Sequence, residues 1–407
     1  MDKDETRTIG QRLHMIRRRR GMGLDLAAGL AGISKPYLSM LERGERGFNR
    51  RGLLEDLAQA LGCSVADLTE QPYHLSDRAT ADALMTLTPI NVALHDCTLS
   101  DVPDVPARPV EQLTALVSAA NRQVDETSYQ LAGRGLGAVL TELHVLAVTA
   151  NSDVQLVALS TLTEACFVAA GVARSLGNAE LSALAARRAA DAAALTGRPE
   201  LAALAAMMRV GALVRIGARS RAGTVLAKEL AAAEPYADPT TTDTAPAEGS
   251  GMLHLAGAQL AAREGRAGDA DIHLDEARQL AARTGERNAY RFHFGPANVA
   301  AWSLAIAVEL QRGPAVVDRL DSSATTFAVL GSADRRAGFH LDLSRAYVQF
   351  GGHRDGVALH HIDSADRIAP TRIRNDPIAR DLVLTLERRA PRRVWELNSL
   401  CNRFGRR

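Results

Sequence analysis

A chain of 407 residues, 46 % hydrophobic and 23 % charged, has an ordinary globular composition but is too long for one comfortable core, so two or more domains are expected. A formal net charge of +1 gives no global electrostatic argument for a nucleic-acid or membrane-surface partner. Aromatics at 4 %, with alanine and leucine dominating long stretches, argue against a large sandwich or barrel and for closely packed helices.

Cys63, Cys97, Cys166 and Cys401 lie far apart, with no C-x-x-C and no histidine at ligand spacing. Cys63 and Cys166 fall in apolar patterns and are expected to be buried free thiols, so neither a disulfide framework nor a metal site is expected. The acidic opening MDKDETRT does not read as a secretory leader, and no apolar run is expected to approach the roughly 18 residues of a membrane span. A cytoplasmic protein without membrane contact is the expectation.

Five short helices follow one another over the first seventy residues. Ile9, Leu13 and Ile16 recur at helical spacing up to Gly21, and a second helix covers about Leu24 to Leu30 with Gly32 as its stop. Ser34 sits where an N-cap belongs and Pro36 in the first turn of a third helix, which runs to Arg43 before Gly44. Leu54, Leu57, Ala58 and Leu61 mark a fourth helix closing at Gly62, and Ser64 caps a fifth, Val65 to Leu68. Residues 1 to 70 carry 12 Lys+Arg against 10 Asp+Glu, but the arginines are grouped, at 17–20 and at Arg43, Arg46, Arg50 and Arg51. Such grouping matters for phosphate contact more than the sum does.

Ala31-Gly32-Ile33 joins the second and third helices as a helix-turn-helix connection does. With Ala27-Ala28, Tyr37-Leu38-Ser39, Leu41-Glu42-x-Gly44 and Leu57-Ala58-x-Ala60-Leu61-Gly62, residues 9 to 70 resemble the helix-turn-helix domain of the Xre/Cro repressor family. The resemblance implies a third helix lying in the major groove, with Lys35, Pro36, Ser39 and Met40 at base-facing places. Arg43, Arg46, Arg50 and Arg51, and the Tyr37 hydroxyl, are implied phosphate contacts, while Arg17 and Glu42 are implied to pair and lock the first helix onto the third. The sequence departs from its relatives at Leu24, where a phosphate-binding glutamine is usual, at Pro36, and at Arg51, a place commonly held by leucine.

Residues 71 to about 105 are mixed, and SDVPDVPARP at 100–109 has the proline spacing of an extended connector, so 73–109 is expected to be a linker between domains 1–72 and 110–407. From Val110 onward amphipathic helices end at glycines, with Gly177, Gly197 and Gly217 setting a helix pair of about 40 residues. The expected pairs are 155–176 with 179–196, 199–216 with 219–234, 252–264 with 268–284, 296–312 with 314–321, and 333–350 with 353–369, closed by a pair within 377–404. ADPTTTDTAPAEGSG, 237–251, reads as an exposed loop. The whole resembles an all-α, tetratricopeptide-like α-solenoid.

In RNAYRFHFGPANVAAW, 287–302, aromatics are concentrated in an aromatic-poor chain. Tyr290, Arg291, Phe292, His293, Phe294, Asn298 and Trp302 combine an apolar wall with few polar groups and are candidates for a ligand groove on the concave solenoid face. The alternative is that the aromatics plug a junction between repeats. His360 and His361 point to different sides of one helix pattern, which disfavours shared metal binding. Neither a phosphate-binding glycine loop nor an H-E-x-x-H or G-x-S-x-G motif occurs, so no enzyme and no cofactor are expected.

A repressor-type domain before a helical-repeat domain resembles actinobacterial regulators of this type more closely than Gram-positive pheromone receptors. The resemblance implies a homodimeric regulator of double-stranded DNA whose solenoid binds a peptide or small-molecule effector, or a protein partner. The competing expectation is an interaction scaffold whose solenoid holds a protein and whose N-terminal domain reads no DNA.

Overall fold

The computed structural model describes residues 8–71, 73, 78–320, 329–391 and 394–405. The MDKDETR opening, Pro72 and residue 321, which ends one expected helix pair, lie outside the described residues. Among the described residues the structure is helical with no strand.

The N-terminal domain is built from α1 (Ile9–Arg19), α2 (Leu24–Leu30), α3 (Lys35–Glu42), α4 (Arg51–Leu61) and α5 (Val65–Thr69). Local chemistry sets most of these ends. Thr8 and Gln11 form a capping box on α1, Ser64 and Asp67 another on α5, and the Ser34 hydroxyl accepts from the Tyr37 amide to start α3. Leu13, Leu38, Leu41, Leu57 and Leu61 fill a small core, and Ile378, from the far end of the chain, completes it.

The expected linker is mostly helix. α6 (Arg78–Met85) and α7 (Leu87–Asp96) precede an extended connection, and Ile90 and Leu94 are wholly buried in the core of the following domain. Leu87, Ile90 and Leu94 keep a helical period that the intervening Thr88 and Pro89 obscure. Next come α8 (Val110–Asp125), α9 (Tyr129–Gly133), α10 (Leu136–Thr149), α11 (Ser152–Ser175), α12 (Ala179–Ala193), α13 (Pro199–Arg215) and α14 (Arg219–Ala233). They are followed by α15 (Ala245–Arg263), α16 (Ala267–Thr284), α17 (Pro296–Glu309), α18 (Gly313–Leu320), α19 (Ala333–Val348), α20 (Asp355–Ile368), α21 (Pro370–Arg374), α22 (Pro377–Arg389) and α23 (Trp395–Arg403).

The helix pairs stack as expected from the glycine spacing. Small residues let them approach: Ala185, Ala189 and Ala192 of α12 are wholly buried. The expected loop at 237–251 is only half a loop, because α15 starts at Ala245. Its small residues serve close packing, and a Cβ at Gly251 would enter the Phe294 ring. Two apolar cores run along the solenoid and meet at α17, where Val299 and Ile306 face one and Leu304 and Val308 the other. A buried node ties distant pairs together: Asp334 of α19 accepts from the Tyr129 hydroxyl at 2.6 Å and pairs with Arg372 at 2.9 Å.

Cys97, Cys166 and Cys401 are buried free thiols, whereas Cys63 is half-buried. Against expectation, two stretches are long and apolar enough to cross a membrane by length and composition, Tyr129–Thr149 and Ser152–Ser175. The second is 78 % buried within the fold, and a helix apolar on all sides is equally the mark of a core helix.

Candidate nucleic-acid interface and the seam behind it

Arg17 and Glu42 come together across α1 and α3. Arg17 Nε donates to Glu42 Oε1 at 2.5 Å and Nη2 to Oε2 at 2.8 Å, while Nη1 donates to the Met22 carbonyl at 2.8 Å. Burial alone would raise the Glu42 carboxyl, but hydrogen bonds from Arg17 and His14 outweigh it and hold it below its ordinary value. Of the arginine run, Arg17 is therefore internal and Arg20 donates to the Gly62 carbonyl, leaving Arg18 and Arg19 exposed without a partner among the described residues.

On the outer face of α3, Lys35 and Pro36 are exposed, and Ser39 and Met40 are half-buried. Lys35 Nζ reaches Asp25 at 2.8 Å, and Arg43 donates to both oxygens of Glu45, at 2.6 and 2.9 Å, and to the Ser39 hydroxyl. Exposed pairs of this kind are screened by solvent and contribute little, so phosphate or base edges can displace them cheaply. Tyr37 is half-buried beside Arg46 and Arg50, and burial raises its hydroxyl.

The loop from Gly44 to Gly52 is in a different situation. Glu45 and Arg46 are exposed, but the rest of the loop lies against the solenoid. Arg388 donates to the Gly44 carbonyl, and the Phe48 amide donates to Asp381 Oδ2 at 2.5 Å. Arg345 donates to the Asn49 carbonyl at 2.8 and 3.0 Å. Arg51 does not face outward as a phosphate contact does: its Nη2 donates to Asp376 at 2.5 Å. Arg50 is half-buried, and its Nε is buried without a partner.

The start of α4 explains the grip. Arg50 provides no side-chain cap, and the Arg51 and Gly52 amides instead donate to the two oxygens of Glu309, each at 3.2 Å. A helix N-terminus with free amides attracts an anion, and here the anion is a carboxylate from α17. Arg345 holds Glu309 at 2.5 Å; burial would raise that carboxyl, but Arg345 and Arg263 bring it down to about 2. Further along α4, Glu55 bonds Arg219 and Arg263, each at 2.7 Å, and Asp56 bonds Arg219 at 2.5 Å. Gly52 is required by this approach, since a Cβ there would lie 2.8 Å from the Arg263 carbonyl oxygen.

The aromatic segment splits into two groups. Phe294 is buried over Gly251, Phe292 meets Phe167 edge-on at 5.3 Å, and the Tyr290 hydroxyl donates to Glu200 at 3.3 Å. Arg291 and His293 both contact Asp125, at 3.4 and 3.1 Å. Of these five only Phe294 is buried, the other four being half-buried with contacts to neighbouring repeats, and Tyr290, Arg291 and His293 adopt positive φ. Asn298 and Trp302 instead line a cavity of about 710 Å³ between the solenoid and helices α4 and α5.

Sequence reasoning passed over the other residues of that cavity. Arg174, Arg215, Arg263 and Arg345 stand in the last turns of α11, α13, α15 and α19, and Glu309 ends α17. The signal was present as a charged residue recurring two or three places before the glycines at 177, 217 and 265.

Residues 8–71 match the model of a helix-turn-helix domain. No curated protein and no solved structure matches the chain. The N-terminal unit is thus a helix-turn-helix domain of the kind that binds DNA in transcriptional regulators, joined to a helical-repeat-like region.

Proposed function

We propose that the protein is a sequence-reading transcriptional regulator, not an enzyme, whose solenoid holds its DNA-binding domain in check until an effector binds. One observation carries the regulatory part. Glu309, Asp376 and Asp381 occupy the Arg51, Gly52 and Phe48 amides and the Arg51 guanidinium, groups of the type that bind DNA phosphate. Solenoid carboxylates stand where phosphate oxygens would be accepted, while the outer face of α3 stays open. A single domain with few phosphate contacts binds weakly, so two copies acting on an inverted repeat, joined through their solenoids, complete the reading.

The test is a selection of genomic fragments by the full-length protein and by its Glu309→Gln variant, at about 150 mM salt to suppress non-specific phosphate binding. An inverted repeat recovered more strongly by the variant supports a checked, dimeric reader. Recovery should fall with Lys35→Ala plus Arg43→Ala, the lysine costing about 1–3 kcal/mol if it reads a base. If neither protein recovers any specific fragment while both retain a protein partner, the molecule is a scaffold.

A further inference from the structure

The cavity between the two domains has an unusual charge arrangement. Seven arginines and six carboxylates line it, and every carboxylate except the exposed Glu180 has an arginine partner. Two arginines are left over. Arg215 makes no hydrogen bond or ion pair among the described residues. The Arg335 guanidinium makes no ion pair among the described residues and lies over the Trp302 ring, its carbon 5.7 Å from the ring centroid. Burial, with the charges of Arg174, Arg263 and Arg51, drives the Arg215 guanidinium well below its ordinary value. A half-buried cation without a direct ion-pair partner is costly to keep and is stabilised by an anion.

Hydrogen-bonding capacity is also unspent there. Asn298 is 1 % exposed; its Nδ2 donates to the Phe292 carbonyl at 3.2 Å, which leaves its Oδ1 buried with no donor. Asn375 Oδ1 is likewise a buried acceptor without a donor, and Trp302 Nε1 a buried donor without an acceptor. Buried polar atoms are nearly always satisfied, and these three, each covered from the open space, leave the cavity wall with unmet hydrogen-bonding capacity. Guanidinium groups and an indole N–H want an oxyanion, and two amide oxygens want O–H or N–H donors.

We propose that this cavity is the binding site of a small organic anion, a carboxylate or phosphate ester that also carries hydroxyl or amine groups, held between the solenoid and helices α4 and α5. The anion sits between Arg215 and Arg335, and side-chain movement on binding brings the covered Trp302 Nε1, Asn298 Oδ1 and Asn375 Oδ1 within reach of it. About 710 Å³ suits a metabolite-sized ligand. Arg51 and Glu55 of α4 line the same space, so an anion there competes with Asp376 for Arg51 and loosens the seam. The regulatory meaning rests on the proposed function, but binding itself does not.

Thermal unfolding of the full-length protein is followed with citrate, glucose 6-phosphate or inorganic phosphate, each against sodium chloride at matched ionic strength. The expected result is a saturable rise in Tm with citrate or glucose 6-phosphate, exceeding that with inorganic phosphate; which of the two acts distinguishes a carboxylate from a phosphate ester. Arg215→Gln and Arg335→Gln should each weaken that binding about tenfold. Without ligand, Arg215→Gln should melt no lower than the wild type, because it removes an uncompensated charge, whereas a merely structural arginine would lower Tm when lost. The absence of any saturable shift at tens of millimolar, or a shift unchanged in Arg215→Gln, overturns the proposal. Since no DNA is present, a failed fragment selection and a failed anion titration are separate results.

Discussion

Two carboxylates, Glu42 and Glu309, fix the geometry of the reading domain, one from within and one from outside. Glu42 joins α3 to α1 through Arg17, both side chains being almost fully buried. Arg17→Ala would leave that carboxylate buried and unpaired except for His14, and should cost about 3 kcal/mol of domain stability, measured by urea unfolding. Glu309 clamps α4 to the solenoid, and Glu309→Gln should weaken that docking by about 3 kcal/mol, because Arg345 keeps Asp342 but loses its other charge. Both carboxyls have folded values below their unfolded ones, so their contributions are complete above the ordinary carboxylate range and vanish as pH falls through the folded value. With Glu309 held at about 2, the seam should survive mild acid and fail between the ordinary glutamate range and about pH 2. Hydrogen exchange of the Arg51 and Gly52 amides against pH would reveal it; loss of protection already near neutrality would contradict the assignment.

At the scale of elements, the approach of α4 to α15 allows a cleaner perturbation. Gly52→Ala places a methyl against the Arg263 carbonyl and should cost about 1–3 kcal/mol of docking. Exchange should accelerate from Phe48 to Leu54 while the amides of α11 and α13 stay unchanged; equal acceleration everywhere would mean that the glycine serves global folding instead. The five N-terminal helices were legible in the sequence because each carries its own start and stop, such as Ser34 before α3 and Gly62 after α4. The solenoid pairs were legible through their glycine spacing. α4 shows where that logic ends: its cap lies 258 residues away, and no local pattern reveals a Glu309 that serves Arg51. The aromatic segment was conspicuous for composition, but three of its residues adopt positive φ and only Phe294 of the five is buried, a backbone choice that side-chain counting misses.

At the scale of the whole molecule, the helix-turn-helix domain is packed against the helical repeats. Ile378 sits in its core, and arginines from α14, α15 and α19 reach it. In the proposed regulation the domain would be released or held as a unit. Full-length Glu309→Gln should bind a selected operator about tenfold more tightly than the wild type, read by fluorescence anisotropy at fixed salt. Equal affinities would show that the docked domain already reads DNA.

Four of the five helix pairs place an arginine in the last turn of their first helix, at the ends of α11, α13, α15 and α19, and the fifth, α17, places Glu309 there. Duplication of a helix pair would therefore copy a cation of the cavity wall along with the fold that carries it. Ancestral gain or loss of a repeat could thus change the size and charge of the cavity in whole steps, leaving the reading head untouched.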